Sequence, residues 1–187
     1  MKKLIIAFLL IGIAGTASAQ SEKYMAAMKK NMALIDSAST PEMNLQVAQS
    51  FKRIAEAEKN QWHPYYYAAL TTVISAFTEK DKLKVDGIAD MATELIDKAM
   101  ALSPDNSEIY IIKSMIASAR MMVDPQSRWA MYGQESTENL QKAKQLDPAN
   151  PRALYLEGQA KLYTPESFGG GKQAAKPYFE KAIELYE

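Results

Sequence analysis

The chain has 187 residues, with 22 acidic and 22 basic side chains, one histidine and no cysteine. The lack of cysteine excludes disulfides and thiol chemistry, and a single histidine excludes a zinc site built on several histidines. A balanced charge gives no electrostatic reason to bind nucleic acid. We therefore expect no metal, no cofactor and no nucleic-acid partner, and a fold held together by packing alone.

The first nineteen residues have the three parts of a secretory signal peptide. Lys2-Lys3 is followed by an apolar stretch of about ten residues, too short to cross a bilayer as a helix. Ala17-Ser18-Ala19 then fits the small-x-small rule for cleavage. We predict cleavage between Ala19 and Gln20 and export to the periplasm or out of the cell; a retained membrane anchor is the alternative. The remaining residues, 20–187, contain no further stretch of transmembrane length and are predicted to form one domain.

The exported part is predicted to be helical throughout. Alanine, leucine, methionine, lysine and glutamate dominate it, and β-branched runs of period two are missing. Residues 124–135 contain Pro125, Gly133 and several aromatic side chains, so we expect a loop or a broken helix there. Apolar spacing and helix breakers predict eight helices, at about 21–36, 41–60, 64–78, 85–102, 107–123, 137–146, 151–163 and 172–187.

One apolar pattern recurs in the second half of the chain. A small residue is followed by a large one four positions later, a small one three after that and a leucine three further on, so all four share one helix face. The second small residue is Ala99, then Ala143, then Ala182, which are 44 and 39 residues apart. Recurrence of one such helix predicts stacked helical hairpins, which commonly present a surface to a partner and do no chemistry.

This pattern resembles the second helix of the tetratricopeptide repeat, which has small, aromatic, small and proline positions at fixed spacing. Ala175-x3-Phe179-x2-Ala182 is the best copy. Asp124–Arg128, Asp147–Ala153 and Pro165–Lys172 are similar to segments of exported repeat proteins of Bacteroidota, related to periplasmic components of some solute transporters. The resemblance implies an all-α fold of about eight helices, stacked as four antiparallel hairpins in a right-handed solenoid.

The resemblance also implies where a partner would bind. In such arrays the first helix of each hairpin lines a concave groove through its second, fifth, ninth and twelfth positions. The register of the repeats places these positions on residues of this sequence, and few of those residues are charged. Such a groove favours an apolar or mixed peptide segment as the ligand. The groove candidates are Tyr65, Tyr66, Thr72, Glu108, Ile111, Met115, Arg152, Tyr155 and Gln159.

The aromatic run Trp62–Tyr67 has two interpretations. Consecutive residues of a helix point about 100° apart, so the three tyrosines cannot all face one core. Tyr67 takes the large core position of the repeat, Tyr65 lies on the groove face and Tyr66 lies between them. The side chains pack between hairpins with their hydroxyls at the rim, or they form a patch that contacts a ligand.

Two features that could indicate chemistry are better explained by structure. The glycine run 169–171 precedes Lys172 at a helix start, but a phosphate-binding loop needs serine or threonine after the lysine, and Gln173 stands there. We interpret the run as a flexible turn between helices. His63, the single histidine, lies beside Trp62 at a helix start and has no nearby sequence that resembles a nucleophile elbow. We expect no enzymatic activity.

These observations favour a non-catalytic scaffold. We expect it to bind an unidentified envelope protein or peptide in its concave groove, since stacked hairpins form such a groove from the same contacts that stabilise them. The alternative is an accessory solute-binding component of a transport system, in which the hairpins hold a small apolar ligand.

Overall fold

The computed structural model of the protein describes residues 22–186, and every regular element among them is helical. The all-α fold class is confirmed, while the signal peptide and its cleavage site lie outside the described residues. Within 22–186, no helix has the length and apolarity needed to cross a membrane. The helices are α1 (22–35), α2 (Pro41–Ala57), α3 (Trp62–Thr78), α4 (Lys82–Leu102), α5 (Ser107–Val123), α6 (Pro125–Arg128), α7 (Gln134–Leu146), α8 (Pro151–Tyr163) and α9 (Lys172–Tyr186).

Polar caps fix where the helices begin. The Thr40 hydroxyl accepts a hydrogen bond from the Met43 amide at 3.2 Å, and Pro41 occupies the first turn of α2. The Asp81 carboxylate accepts from the Leu83 amide at 3.1 Å, which caps α4. Helix α4 therefore begins at Lys82, three residues before the predicted start, and the charged segment 80–84 belongs largely to the helix.

The helices pack as sequential hairpins around one large core and one small cluster. Helices α2 to α5 pack in succession, α7 packs on α5, and α9 packs on α8, whereas α7 and α8 have few contacts with each other. The repeated alanine is buried in each hairpin and extends to the first one, where Ala55 precedes Ala99 by 44 residues. Small residues at this position let the paired helices approach closely. The four are Ala55, Ala99, Ala143 and Ala182.

Residues 124–133 form a broken helix, the second of the two forms expected for this segment. The short α6 continues into a π-helical turn, Trp129–Gly133, which runs directly into α7. The Arg128 guanidinium donates to both carboxylate oxygens of Asp86 on α4, at 2.7 and 2.8 Å. The Arg120 and Arg128 guanidiniums also lie 6.0 and 5.8 Å from the ring centre of Tyr132. The irregular turn is thus anchored to α4 by charge-assisted bonds.

The glycine run forms a compact turn between the last two helices. Gly169 and Gly171 have φ of +78° and +92°, in the left-handed region that glycine adopts without a steric penalty. The Gly171 amide donates to the Lys161 carbonyl at 2.9 Å, so the turn folds back onto the end of α8. A Cβ at Gly170 would lie 2.1 Å from the Thr164 carbonyl oxygen, so only glycine fits there.

Candidate ligand-binding site

Two of the predicted groove residues, one on α3 and one on α5, are buried. Thr72 and Ile111 are fully buried, at 0% exposure. The Thr72 hydroxyl donates to the Ala68 carbonyl within α3 at 2.7 Å, and Ile111 packs in the small cluster that joins α5 to α7 and α8. The structure corrects the prediction for these two residues, because neighbouring helices cover the face that was expected to line a groove. Met115 is half-buried against both cores.

Three of the groove candidates meet in a polar cluster that joins three hairpins. The Tyr66 hydroxyl of α3 donates to a Glu108 carboxylate oxygen of α5 at 2.5 Å, and the Arg152 guanidinium of α8 donates to that oxygen at 2.8 Å and to the Tyr66 hydroxyl. Asn150 donates to the other Glu108 oxygen at 2.8 Å and to the Ser107 hydroxyl at 3.1 Å. We call these five residues the polar node.

Burial and neighbouring charges shift the pKa of two members of the polar node, Tyr66 and Arg152. Desolvation of Tyr66, which is 4% exposed, raises the pKa of its phenol far above the ordinary value, although the nearby Arg152 acts in the opposite direction. Desolvation lowers the pKa of Arg152, but its interactions with Tyr66, Glu108 and Tyr186 together raise that pKa by more, so it lies above its ordinary value. The hydrogen bonds among Tyr66, Glu108, Asn150 and Arg152 connect the three hairpins. Tyr65 lies outside the node, half-buried, with the Lys98 ammonium 5.9 Å from its ring centre.

The remaining candidates lie on the open surface of the last hairpin. Tyr155 is 46% exposed, and its ring centre lies 5.7 Å from that of Phe179 on α9. The Gln159 amide donates to the Tyr155 hydroxyl at 3.2 Å, one turn along α8. Phe179 also belongs to an open depression of about 510 Å³ between α8 and α9. The depression is lined by Leu162, Lys172, Gln173, Ala175, Lys176, Phe179, Glu180 and Ile183.

The depression has an apolar floor because the two helices approach closely at one glycine. A Cβ at Gly158 would lie 2.8 Å from the Phe179 ring, so the missing side chain lets that ring rest against α8. Leu162 and Ile183 line the depression together with the ring, and Ile183 is 59% exposed. An exposed apolar surface with charged groups at its rim is typical of a binding site.

Sequence reasoning missed the α9 half of this site. The groove rule considers only the first helix of each hairpin, whereas Lys172, Lys176 and Ile183 belong to the second. A usable signal was Ile183 itself, an apolar residue directly after the buried repeat position Ala182. His63 is not among the lining residues; its ring stacks on Trp62 at 3.9 Å between centres, and partial burial lowers its pKa.

The fold and the site define the class of the protein as an all-α array of helical hairpins with an exposed apolar surface suited to binding. No protein-family model matches the chain, and no curated protein matches it. Among solved structures, the HusA haemophore from Porphyromonas gingivalis superposes with a TM-score of 0.79 at 41% identity, covering 87% of this chain and 80% of that one. The chain belongs to the HusA haemophore family.

The similarity bears on two expectations from the sequence. Porphyromonas gingivalis is a member of the Bacteroidota, in agreement with the resemblance of the sequence motifs. HusA is a haemophore, that is, a haem-binding protein rather than an enzyme. A second structure, the MamA RS-1 ArsTM double mutant, has a TM-score of 0.35 at 16% identity over 88% of this chain and 94% of that one, too low a score to support an argument.

Proposed function

We propose that the protein captures haem, or a porphyrin of the same shape, on the depression of its last hairpin. The observation that carries this proposal is an open apolar depression on a member of a haemophore family. Haem is flat and largely apolar, and the side chains of Leu162, Phe179 and Ile183 offer a floor of the same character. Apolar contact over such a floor supplies most of the binding free energy for ligands of this kind.

The lining of the depression indicates that binding does not depend on the iron. The ordinary protein ligands of haem iron are histidine, cysteine, methionine and tyrosine, and none of the eight lining residues belongs to these types. Tyr155 adjoins the depression through its contact with Phe179, and its hydroxyl already accepts a hydrogen bond from Gln159. We therefore expect metal-free protoporphyrin to bind about as well as haem.

This ligand corresponds to the second of the two functions expected from the sequence. A small apolar ligand needs one open surface, which the last hairpin supplies. A peptide in the concave groove would need an accessible face along several hairpins, yet Thr72 and Ile111 are fully buried. Export through the signal peptide predicted in residues 1–19, to the periplasm or out of the cell, is part of the proposal.

Absorbance titration tests the proposal. Haem added to the protein that begins at Gln20 should give a saturable change in its Soret band. Ile183→Ser should weaken binding by about tenfold, because the exposed side chain of Ile183 contributes apolar contact to the floor. Leu83→Ser is the matched control, since Leu83 is 93% exposed on α4 and does not line the depression. An unsaturable titration, or equal effects of the two substitutions, would refute the proposal.

A further inference from the structure

We propose that Lys172 and Lys176 recognise the carboxylates of the ligand, so that the site selects porphyrins that carry free propionate groups. The inference rests on the proposed function and adds to it the group of the ligand that the protein recognises, the carboxylate. Both lysines line the depression and are exposed, and both stand on the first two turns of α9.

The order of residues along α9 gives the depression a direction. Residues four apart on a helix are neighbours, with Cβ atoms roughly 5–6 Å apart, so the two ammonium groups can occupy one edge together. Phe179 and Ile183 follow Lys172 by seven and eleven positions and lie on the same helix face. The site thus has a cationic end and an apolar end. A haem molecule has the matching polarity, since both of its propionates project from one edge of an apolar ring.

Two further charges act at the cationic end. Lys172 is the first residue of α9, where the partial positive charge of the helix dipole adds to that of the lysines. The Lys176 ammonium lies 3.6 Å from the Glu180 carboxylate, with the two side chains 68% and 63% exposed. An exposed pair of this kind is weak, so a propionate can replace Glu180 as the partner of Lys176. Glu180 should therefore oppose binding of a carboxylate.

The test compares two metal-free ligands, protoporphyrin IX with two free propionates and its dimethyl ester, in which both propionates are uncharged methyl esters. The double variant Lys172→Gln, Lys176→Gln should lose about tenfold in affinity for the free acid and keep its affinity for the ester. Glu180→Gln should raise the affinity for the free acid by about threefold and leave the affinity for the ester unchanged. Lys181→Gln is the matched control, because Lys181 is exposed on α9, pairs with Glu184 at 2.8 Å and does not line the depression.

The outcomes separate this inference from the proposed function. Suppose that the unaltered protein binds both porphyrins and that the double variant binds each of them with the same affinity as the unaltered protein. Recognition by the lysines is then wrong, while capture of porphyrin stands. The inference is also wrong if the double variant loses affinity for the acid and the ester alike at unchanged helicity, since the loss would not then depend on carboxylates. If the unaltered protein binds neither porphyrin, the proposed function fails and the inference fails with it.

Discussion

The fifth position in the first helix of a hairpin is buried in the middle of the molecule and exposed at the last hairpin. Ala68 on α3 and Ile111 on α5 are fully buried, whereas Tyr155, 44 residues after Ile111 on α8, is 46% exposed. The helices carry related patterns, so the pattern itself does not decide which face meets solvent. A neighbouring hairpin decides it, because each hairpin of a stacked array buries its apolar face only against the next.

The two regions also differ in how they are held. Helices α1 to α5 share one large core, whereas the last hairpin is joined to the rest by a small apolar cluster around Ile111 and by the polar node. Because α7 and α8 have few contacts, little apolar surface opposes a local opening there. We expect the last hairpin to be the less stable unit, as is common for elements that bind ligands.

Truncation of a buried isoleucine in each region should give the largest contrast. Ile112→Ala in the large core should lower the free energy of unfolding by about 2–5 kcal/mol, because Ile112 is 0% exposed and its removal leaves a cavity. Ile183→Ala on α9 should change it by less than about 0.5 kcal/mol, because that side chain is 59% exposed. Urea unfolding measures both; similar losses would show that the two regions do not differ as described.

Removal of one hydroxyl from the polar node should loosen the last hairpin selectively. Tyr66→Phe leaves Glu108 and Arg152 each without one partner at a partly buried position, which should cost about 1–3 kcal/mol. Hydrogen exchange should then speed up in α8 and α9 more than in α3 and α4. Tyr65→Phe is the control, because Tyr65 lies outside the node. An equal increase in all four helices would contradict this function of the node.

The sequence was sufficient to predict the hairpins, because their determinants are local. The apolar spacing and the helix breakers depend on residues within a few turns, and they correctly predicted the helices and the start of α2 at Pro41. The contacts of the π-helical turn were not predictable in the same way, since Arg128, just before it, pairs with Asp86, which lies 42 residues earlier.

The site was predictable only in part. The register of α8 gave Tyr155 and Gln159, which lie beside the depression and do not line it. The lysines of α9 were not predicted, because a rule for first helices says nothing about the partner helix. The apolar pattern also could not predict the burial of Ile111, since that burial results from contact with later helices.

A pair of glycine substitutions separates close packing from open surface. Gly158→Ala should destabilise the protein by about 1–2 kcal/mol, because the new Cβ would lie 2.8 Å from the Phe179 ring and force it to move. Gly87→Ala on α4 should instead stabilise it by up to about 1 kcal/mol, because nothing lies within 4 Å of that Cβ and alanine favours a helix. Thermal unfolding gives both signs; stabilisation by Gly158→Ala would mean that α8 and α9 are not in contact there.

The smallest expected effect tests whether residues 124–133 are anchored to α4 through Asp86. The hydrogen bond from Arg128 lowers the pKa of Asp86, although desolvation acts in the opposite direction. A carboxyl group whose folded pKa is depressed contributes stability above its unfolded pKa, and this contribution is lost as the pH falls through the folded value. Because the Asp86 side chain is 39% exposed, solvent screening limits the contribution to roughly 0.5–1 kcal/mol.

Asp86→Asn should therefore lower the free energy of unfolding at pH 7 and approach the unaltered protein only at a pH below the depressed folded pKa of Asp86, where both carry a neutral side chain. Asp105→Asn, at an exposed carboxylate between α4 and α5, is the control and should be nearly neutral at both pH values. Urea unfolding across this pH range measures the difference. If Asp86→Asn lowers the free energy of unfolding by the same amount at low pH as at pH 7, the substitution removes packing of α4 and not a charge-assisted bond. The π-helical turn would then not be anchored through the ionised Asp86.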